Sequence, residues 1–181
     1  MDPGRHGVTY VMDERASAIP LPALSDRAAF TAAISPHYDH LVRRLMLILH
    51  DTEEARDVAQ SAVMRAFERR HRFDGADVRA WLFTIGIRLA LNEKRRRTRL
   101  QRWLRRSEAP ATWAIEADPD LWQALEQLEP RHRAALILNV LDGYTHAEIG
   151  AALEVPTGTV ASWLSRAKAA LRRELMGGRE Q

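Results

Sequence analysis

The sequence predicts an all-α chain of two small helical domains joined by a flexible linker, and three observations lead there. Apolar residues recur three and four positions apart in several separate stretches, which is the spacing of one helix face. Helix stop and start signals such as Ser35-Pro36, Asp74-Gly75 and Asp142-Gly143 punctuate those stretches. Charge is also divided along the chain. Residues 65–106 carry fourteen basic and four acidic side chains, a net +10, and residues 107–130 stand at −6, although the 181-residue total is only +3.

Residues 1–24 hold Gly and Pro without periodicity and read as a loose extension, with Met12 as a second possible start. Ser25 can cap a short helix through Ile34, which Ser35-Pro36 stops; Pro36 opens the next, where Leu41, Val42, Leu45, Met46 and Leu49 share a face. Asp51, Glu53 and Glu54 favour the start of another helix through the helix dipole. Ala55, Val58, Ala59, Ala62 and Ala66 give it a seam of small residues. A loop at residues 73–77 precedes a helix carrying Val78, Trp81, Leu82, Ile85 and Leu89 into a run of Lys and Arg, so the first domain is expected over residues 25–97. Residues 98–118 read as the linker, with Trp103 and Trp113 docking on a neighbour. The second domain, residues 119–175, begins with Leu121, Leu125 and Leu128; Pro130 opens a helix that ends at Asp142-Gly143, and residues 176–181 form a tail.

Thr145-His146-Ala147-Glu148 has the spacing of a capping box, and Glu154-Val155-Pro156 ends the helix it starts. Thr157 is expected to cap the following helix, with Val160, Leu164, Ala167 and Leu171 inward. Ala147, Gly150 and Ala151 leave room for a close neighbour, so the pair reads as a helix-turn-helix. Its second helix would offer Thr157, Thr159, Ser162, Trp163 and Arg166 to a major groove. An αα-hairpin that touches no DNA has the same outline.

Composition narrows the chemistry. A +10 segment containing Lys94-Arg95-Arg96-Arg97 is too one-sided for an ordinary solvated face and suits a polyanion. With no cysteine, the chain has no disulfide, thiolate metal site or Cys nucleophile. His37, Asp39 and His40 lack the further donors a metal needs, and no phosphate-binding Gly loop or nucleophile elbow is present. The expectation is a protein that is not an enzyme and takes no metal or cofactor. Without a signal-peptide pattern or an apolar run of about 18 residues, it is expected in the cytoplasm with no membrane insertion.

Two sets of motifs, in order and separated by the linker, carry a family resemblance. Asp57-Val58-Ala59-Gln60-Ser61-Ala62 with Arg79-Ala80-Trp81-Leu82-Phe83-Thr84-Ile85 resembles region 2 of bacterial RNA polymerase sigma factors of the extracytoplasmic-function (ECF) group. Leu125 to Arg133, Tyr144 to Gly150 and Gly158-Thr159-Val160 resemble region 4 of the same group. The resemblance implies that Asp57, Gln60 and Arg65 bind core RNA polymerase; for Asp57 and Gln60 a plain surface pair is the alternative. It implies that Arg72, Phe73, Asp74, Arg79, Arg88, Asn92, Arg95 and Arg96 take the melted −10 element of promoter DNA. Trp81 is read as core from its helical spacing rather than as a stacking platform. Thr157, Thr159, Ser162, Trp163 and Arg166 would read the −35 element. Arg88 stands where the family often has Asn beside the base pocket of the −10 element. In the recognition helix Ala161, Trp163 and Ser165 depart from common residues while Ser162 and Arg166 match, so the −35 sequence read is expected to be unusual. With no sensory domain after Leu175, control is expected from a separate anti-sigma protein. An autonomous helix-turn-helix regulator and a sigma mimic that only sequesters an anti-sigma protein remain the alternatives.

Overall fold

The computed structural model describes Leu24, residues 26–104 and residues 119–177. All regular elements among these residues are helical: α1 (Arg27–Leu49), α2 (Thr52–Glu68), a 3-10 turn (Arg70–Arg72), α3 (Val78–Leu104), α4 (Pro119–Glu126), α5 (Pro130–Val140), α6 (His146–Leu153) and α7 (Thr157–Gly177).

In the first half, α1, α2 and α3 pack around Leu41, Leu45, Ala59, Ala62, Leu82 and Phe83. The alanine seam of α2 lets its neighbours approach, and Gly86 of α3 lies so near Leu41 that an added Cβ would come within 2.8 Å of its side chain. Two expected helices prove to be one. Asp26 caps α1 by accepting from the Ala29 N–H, and the helix runs through Pro36 to Leu49. Proline removes a backbone donor and crowds the preceding turn. Here Phe30 and Ile34 before it and Leu41 and Leu45 after it enter one core, so burial along a single face outweighs the local break. The expected cap at Ser25 lies outside the described residues.

The next boundary follows expectation, since the Asp51 side chain accepts from the Glu54 N–H and caps α2. Helix α3 continues to Leu104, past the domain end expected at residue 97. The expected linker contacts of Trp103 and Trp113 lie outside the described side chains.

In the second half, α4 and α5 pack with α7, and α6 crosses α7. The capping box is complete: the Thr145 hydroxyl accepts from the Glu148 N–H while the Glu148 carboxylate accepts from the Thr145 N–H at 2.7 Å. Glu154 ends α6 in the left-handed region at φ 57°, turning the chain sharply into α7. Thr157 is the first residue of α7 rather than its cap, because the Pro156 carbonyl already accepts from Thr159 and Val160. A proline at the cap leaves the first turn without a side-chain acceptor from that position. The two halves are packed together as well, α5 against α1 and α3, and α6 against α3, so one apolar core runs through both.

The two glycines of the helix-turn-helix should respond oppositely to alanine. A Cβ on Gly150 would meet the Val155 carbonyl oxygen at 2.8 Å, whereas one on Gly158 meets nothing within 4 Å. Gly150→Ala is expected to destabilise by about 1–3 kcal/mol through overpacking, and Gly158→Ala to stabilise by up to about 1 kcal/mol through helix propensity. Urea denaturation of the two variants checks both signs.

Candidate nucleic-acid and polymerase interface

Three surfaces carry the residues singled out by sequence. On α2, Asp57, Gln60 and Arg65 are exposed on the outer side, beside Met64, a large apolar side chain left 59% exposed. Their common orientation follows from the opposite alanine seam, which commits the other face to the core.

The second surface runs from the 3-10 turn along α3. Arg72 and Asp74 are exposed, and the Asp74 side chain accepts from the Ala76 N–H to hold the loop. Phe73 is placed differently from expectation: it is only 2% exposed and packs on Trp81 at 5.2 Å between ring centroids. Its ring closes the first-half core, since a large aromatic at the loop's entry gains more from burial than from water. Along α3, Arg88, Asn92, Arg95 and Arg96 fall on one face by their four, three and one spacing. Arg96 pairs with Glu93 through its Nε and Nη2. Neighbouring basic residues turn the other way: Arg97 reaches Glu54 of α2 at 3.1 Å, and burial holds Lys94 below its ordinary pKa. The Lys94-to-Arg97 run is therefore split between an outer face and a structural contact.

The third surface is the outer side of α7. Thr157, Ser162 and Arg166 are exposed and Thr159 is half-buried. Trp163 lies apart from them. It is half-buried toward α5, with its ring 5.7 Å from that of His132 and beneath Arg131, because its position borders the buried stripe of Val160, Leu164 and Ala167. It also lines a crevice of about 150 Å³ shared with Arg88, Asn92 and Arg95. The second and third surfaces thus meet across the two halves.

Polar contacts hold them there. The Asp142 side chain, at the turn after α5, is fully buried. It accepts from Arg44 Nε at 3.1 Å on both oxygens and from Arg79 Nη2 at 2.8 Å, with His40 Nε2 at 3.6 Å. Burial, then Arg44 and Arg79, hold the His40 imidazole below its ordinary pKa. Arg88 donates from Nε to the Ala152 carbonyl at 2.6 Å and from Nη2 to that of Ala151, where the negative end of α6 favours a cation, and pairs with Glu154. Arg133 donates to the Ile48 carbonyl at the end of α1, and Trp122 stacks on His50 at 4.5 Å.

Sequence reasoning missed the role of Asp142, Arg44 and Arg133, and took His40 only as a metal candidate. One local sign existed for Asp142. An acid just past a helix C-terminus opposes the dipole, and such a conflict points to a tertiary partner. Among the described residues, no group of three His, Asp or Glu side chains could hold a metal ion, and no helix is long and apolar enough to cross a membrane.

Comparison with known proteins places both halves in a family. Residues 33–100 match the family described as Sigma-70 region 2, and residues 119–171 match Sigma-70, region 4. A relative from Mycobacterium tuberculosis, ECF RNA polymerase sigma factor SigM, is 31% identical, the alignment covering 95% of this chain and 87% of that one. This chain is an ECF RNA polymerase sigma factor. ECF RNA polymerase sigma factor SigE of Mycolicibacterium smegmatis is 28% identical over 88% of this chain and 68% of its own. The sigma fold is seen directly in RpoE from Bartonella quintana, solved in complex with the anti-sigma factor NepR. That structure aligns with a TM-score of 0.71 at 24% identity, covering 81% of this chain and 96% of that one. In this sigma factor, α1 to α3 correspond to region 2 and α4 to α7 to region 4.

The contact between the regions is expected to be acid-sensitive. Burial, reinforced by Arg133, lowers the His50 pKa to about 3 from 6.5, so His50 is neutral in the fold. An unfolded chain takes the proton near pH 6.5 and the folded one does not. The contribution is therefore complete above that pH and is lost as pH falls from about 6.5 toward 3, by up to about 1.4 kcal/mol per pH unit. His50→Asn, which tolerates the left-handed backbone at φ 58°, should flatten the fall in unfolding free energy between about pH 6.5 and 5 in urea titrations.

Proposed function

We infer that this chain binds core RNA polymerase, directs it to particular promoters and promotes the melting of their DNA. The observation that carries the reading is the presence of both sigma regions in family order, each with an exposed polar face on the element that the resemblance assigns to a partner. It acts as a non-enzymatic initiation factor in the cytoplasm. A separate anti-sigma protein regulates it.

Each surface takes one step. The α2 face, with Asp57, Gln60 and Arg65, docks on the polymerase. Strand separation then exposes backbone charge and unstacked bases, which need cations and a polar loop. Arg72, Asp74, Arg79, Arg88, Asn92, Arg95 and Arg96 provide these for the −10 element, and Phe73 supports the loop from the core. On the duplex, the first turns of α7 enter the major groove at the −35 element with Thr157, Thr159, Ser162 and Arg166 toward it. Trp163 sets the angle of α7 through α5 and borders the groove.

Run-off transcription with core polymerase tests the whole reading; a chain that binds polymerase but gives no transcript from its own promoter defeats it. Arg95→Glu with Arg96→Glu is expected to abolish open-complex formation while polymerase binding stays within about twofold, since the exchange puts like charge against phosphate. Arg166→Ala should weaken the −35 interaction by about 1–3 kcal/mol if Arg166 contacts a base, and relax the preference at that position alone. Permanganate footprinting and competition with mutated promoters read the two effects.

A further inference from the structure

Asp142 occupies a position shaped for an anion, and among the described residues each cationic group paired with it comes from the other half of the molecule. His40 and Arg44 stand one turn apart on α1, and Arg79 lies in the first turn of α3, where the positive end of the helix dipole adds to its charge. Region 4 contributes the carboxylate and, at 3.5 Å from Arg44 Nη2, the Leu141 carbonyl, but no cation among the described residues. The carboxylate does not use all the donors present, because Arg79 Nε is buried without a hydrogen-bond partner. In an arrangement with region 4 moved off region 2, Arg44 and Arg79 would lose this counter-charge and repel each other. A phosphodiester, with one negative charge and two free oxygens, replaces the carboxylate in charge and in hydrogen bonding.

We propose that His40, Arg44 and Arg79 form a binding site for a backbone phosphate of single-stranded promoter DNA, and that Asp142 fills it as an internal substitute while the two regions are closed. DNA and region 4 then compete for the same cations, so free protein binds DNA poorly and the site becomes available on opening. The closed form also occupies Arg88 with the end of α6, which makes the two occlusions part of one motion. The proposal rests on the promoter-binding role inferred above.

The test uses the full-length chain and a fluorescein-labelled single strand of about 20 nucleotides of mixed sequence, followed by anisotropy. Asp142→Asn should tighten binding by at least about fivefold. Adding Arg44→Gln should remove that gain and reduce the slope of log affinity against log salt by about 0.7, the value for one phosphate on a single strand. Arg43→Gln in the same background makes an equal change of charge at an exposed neighbour and should keep most of the gain. Equal losses from Arg43→Gln and Arg44→Gln would mean that net charge alone is at work, and the site would be abandoned. Thermal shift with inorganic phosphate separates the ligand sources: a rise specific to intact Arg44, without any effect on the oligonucleotide, overturns the DNA assignment. If Asp142→Asn does not fold, the single variants Arg44→Gln and Arg43→Gln assembled with core polymerase give the same contrast in salt slope. Run-off transcription by the unaltered protein is read in parallel. Its failure removes the sigma role, whereas success without the Arg44 contrast removes only the phosphate site.

Discussion

A carboxylate sealed from water with two guanidinium groups on it constrains this molecule more than any other contact. Asp142 has no exposed side-chain surface, and Arg44 and Arg79 approach it from two helices of region 2. Burying such a group is costly unless it is fully partnered, so its value lies in selecting one geometry rather than in adding much net stability. The carboxylate ties the end of α5 to α1 and to the first turn of α3. The Arg133 bond to the Ile48 carbonyl and the Arg88 bonds to the end of α6 are compatible with that placement and strengthen it.

The same constraint explains why the charge pattern and the functional surfaces do not coincide residue by residue. The +10 segment is legible as a polyanion footprint, yet several of its members are spoken for within the protein. Arg97 bridges to α2, Lys94 is turned inward, and Arg79 and Arg88 are held by region 4. Arg95, Arg96 and Asn92 are exposed along α3, Arg96 against Glu93 of the same helix. Access to the remaining cations is a matter of how the two regions sit, and a linear charge count carries no information on that.

Where sequence reasoning worked, the controlling physics was local. The capping box of α6 and the Asp51 cap of α2 are each built from residues within three positions, and both are formed. The small residue at Gly150 was legible as a close approach, and the turn carbonyl of Val155 is indeed against it. Where it failed, a distant partner overruled the local preference. Pro36 sits inside α1 because the residues on both sides share a core. Phe73 points inward because Trp81 and the helix seam offer it apolar surface, and Trp163 leans on α5 rather than facing outward with Ser162 and Arg166.

By itself, the sequence determined the helical class, most helix boundaries, the helix-turn-helix and the family, since periodicity, caps and motifs are encoded within a few consecutive residues. Only the tertiary structure decided that the halves close on each other, that Arg44, Arg79 and Arg88 face region 4, and that Asp142 is a buried anchor rather than a helix stop. The pairs Arg44 with Asp142 and Arg133 with Ile48 lie 98 and 85 positions apart. Nothing in the local pattern of either partner specifies the other, because the energy that selects them arises when two separately formed surfaces expel water together.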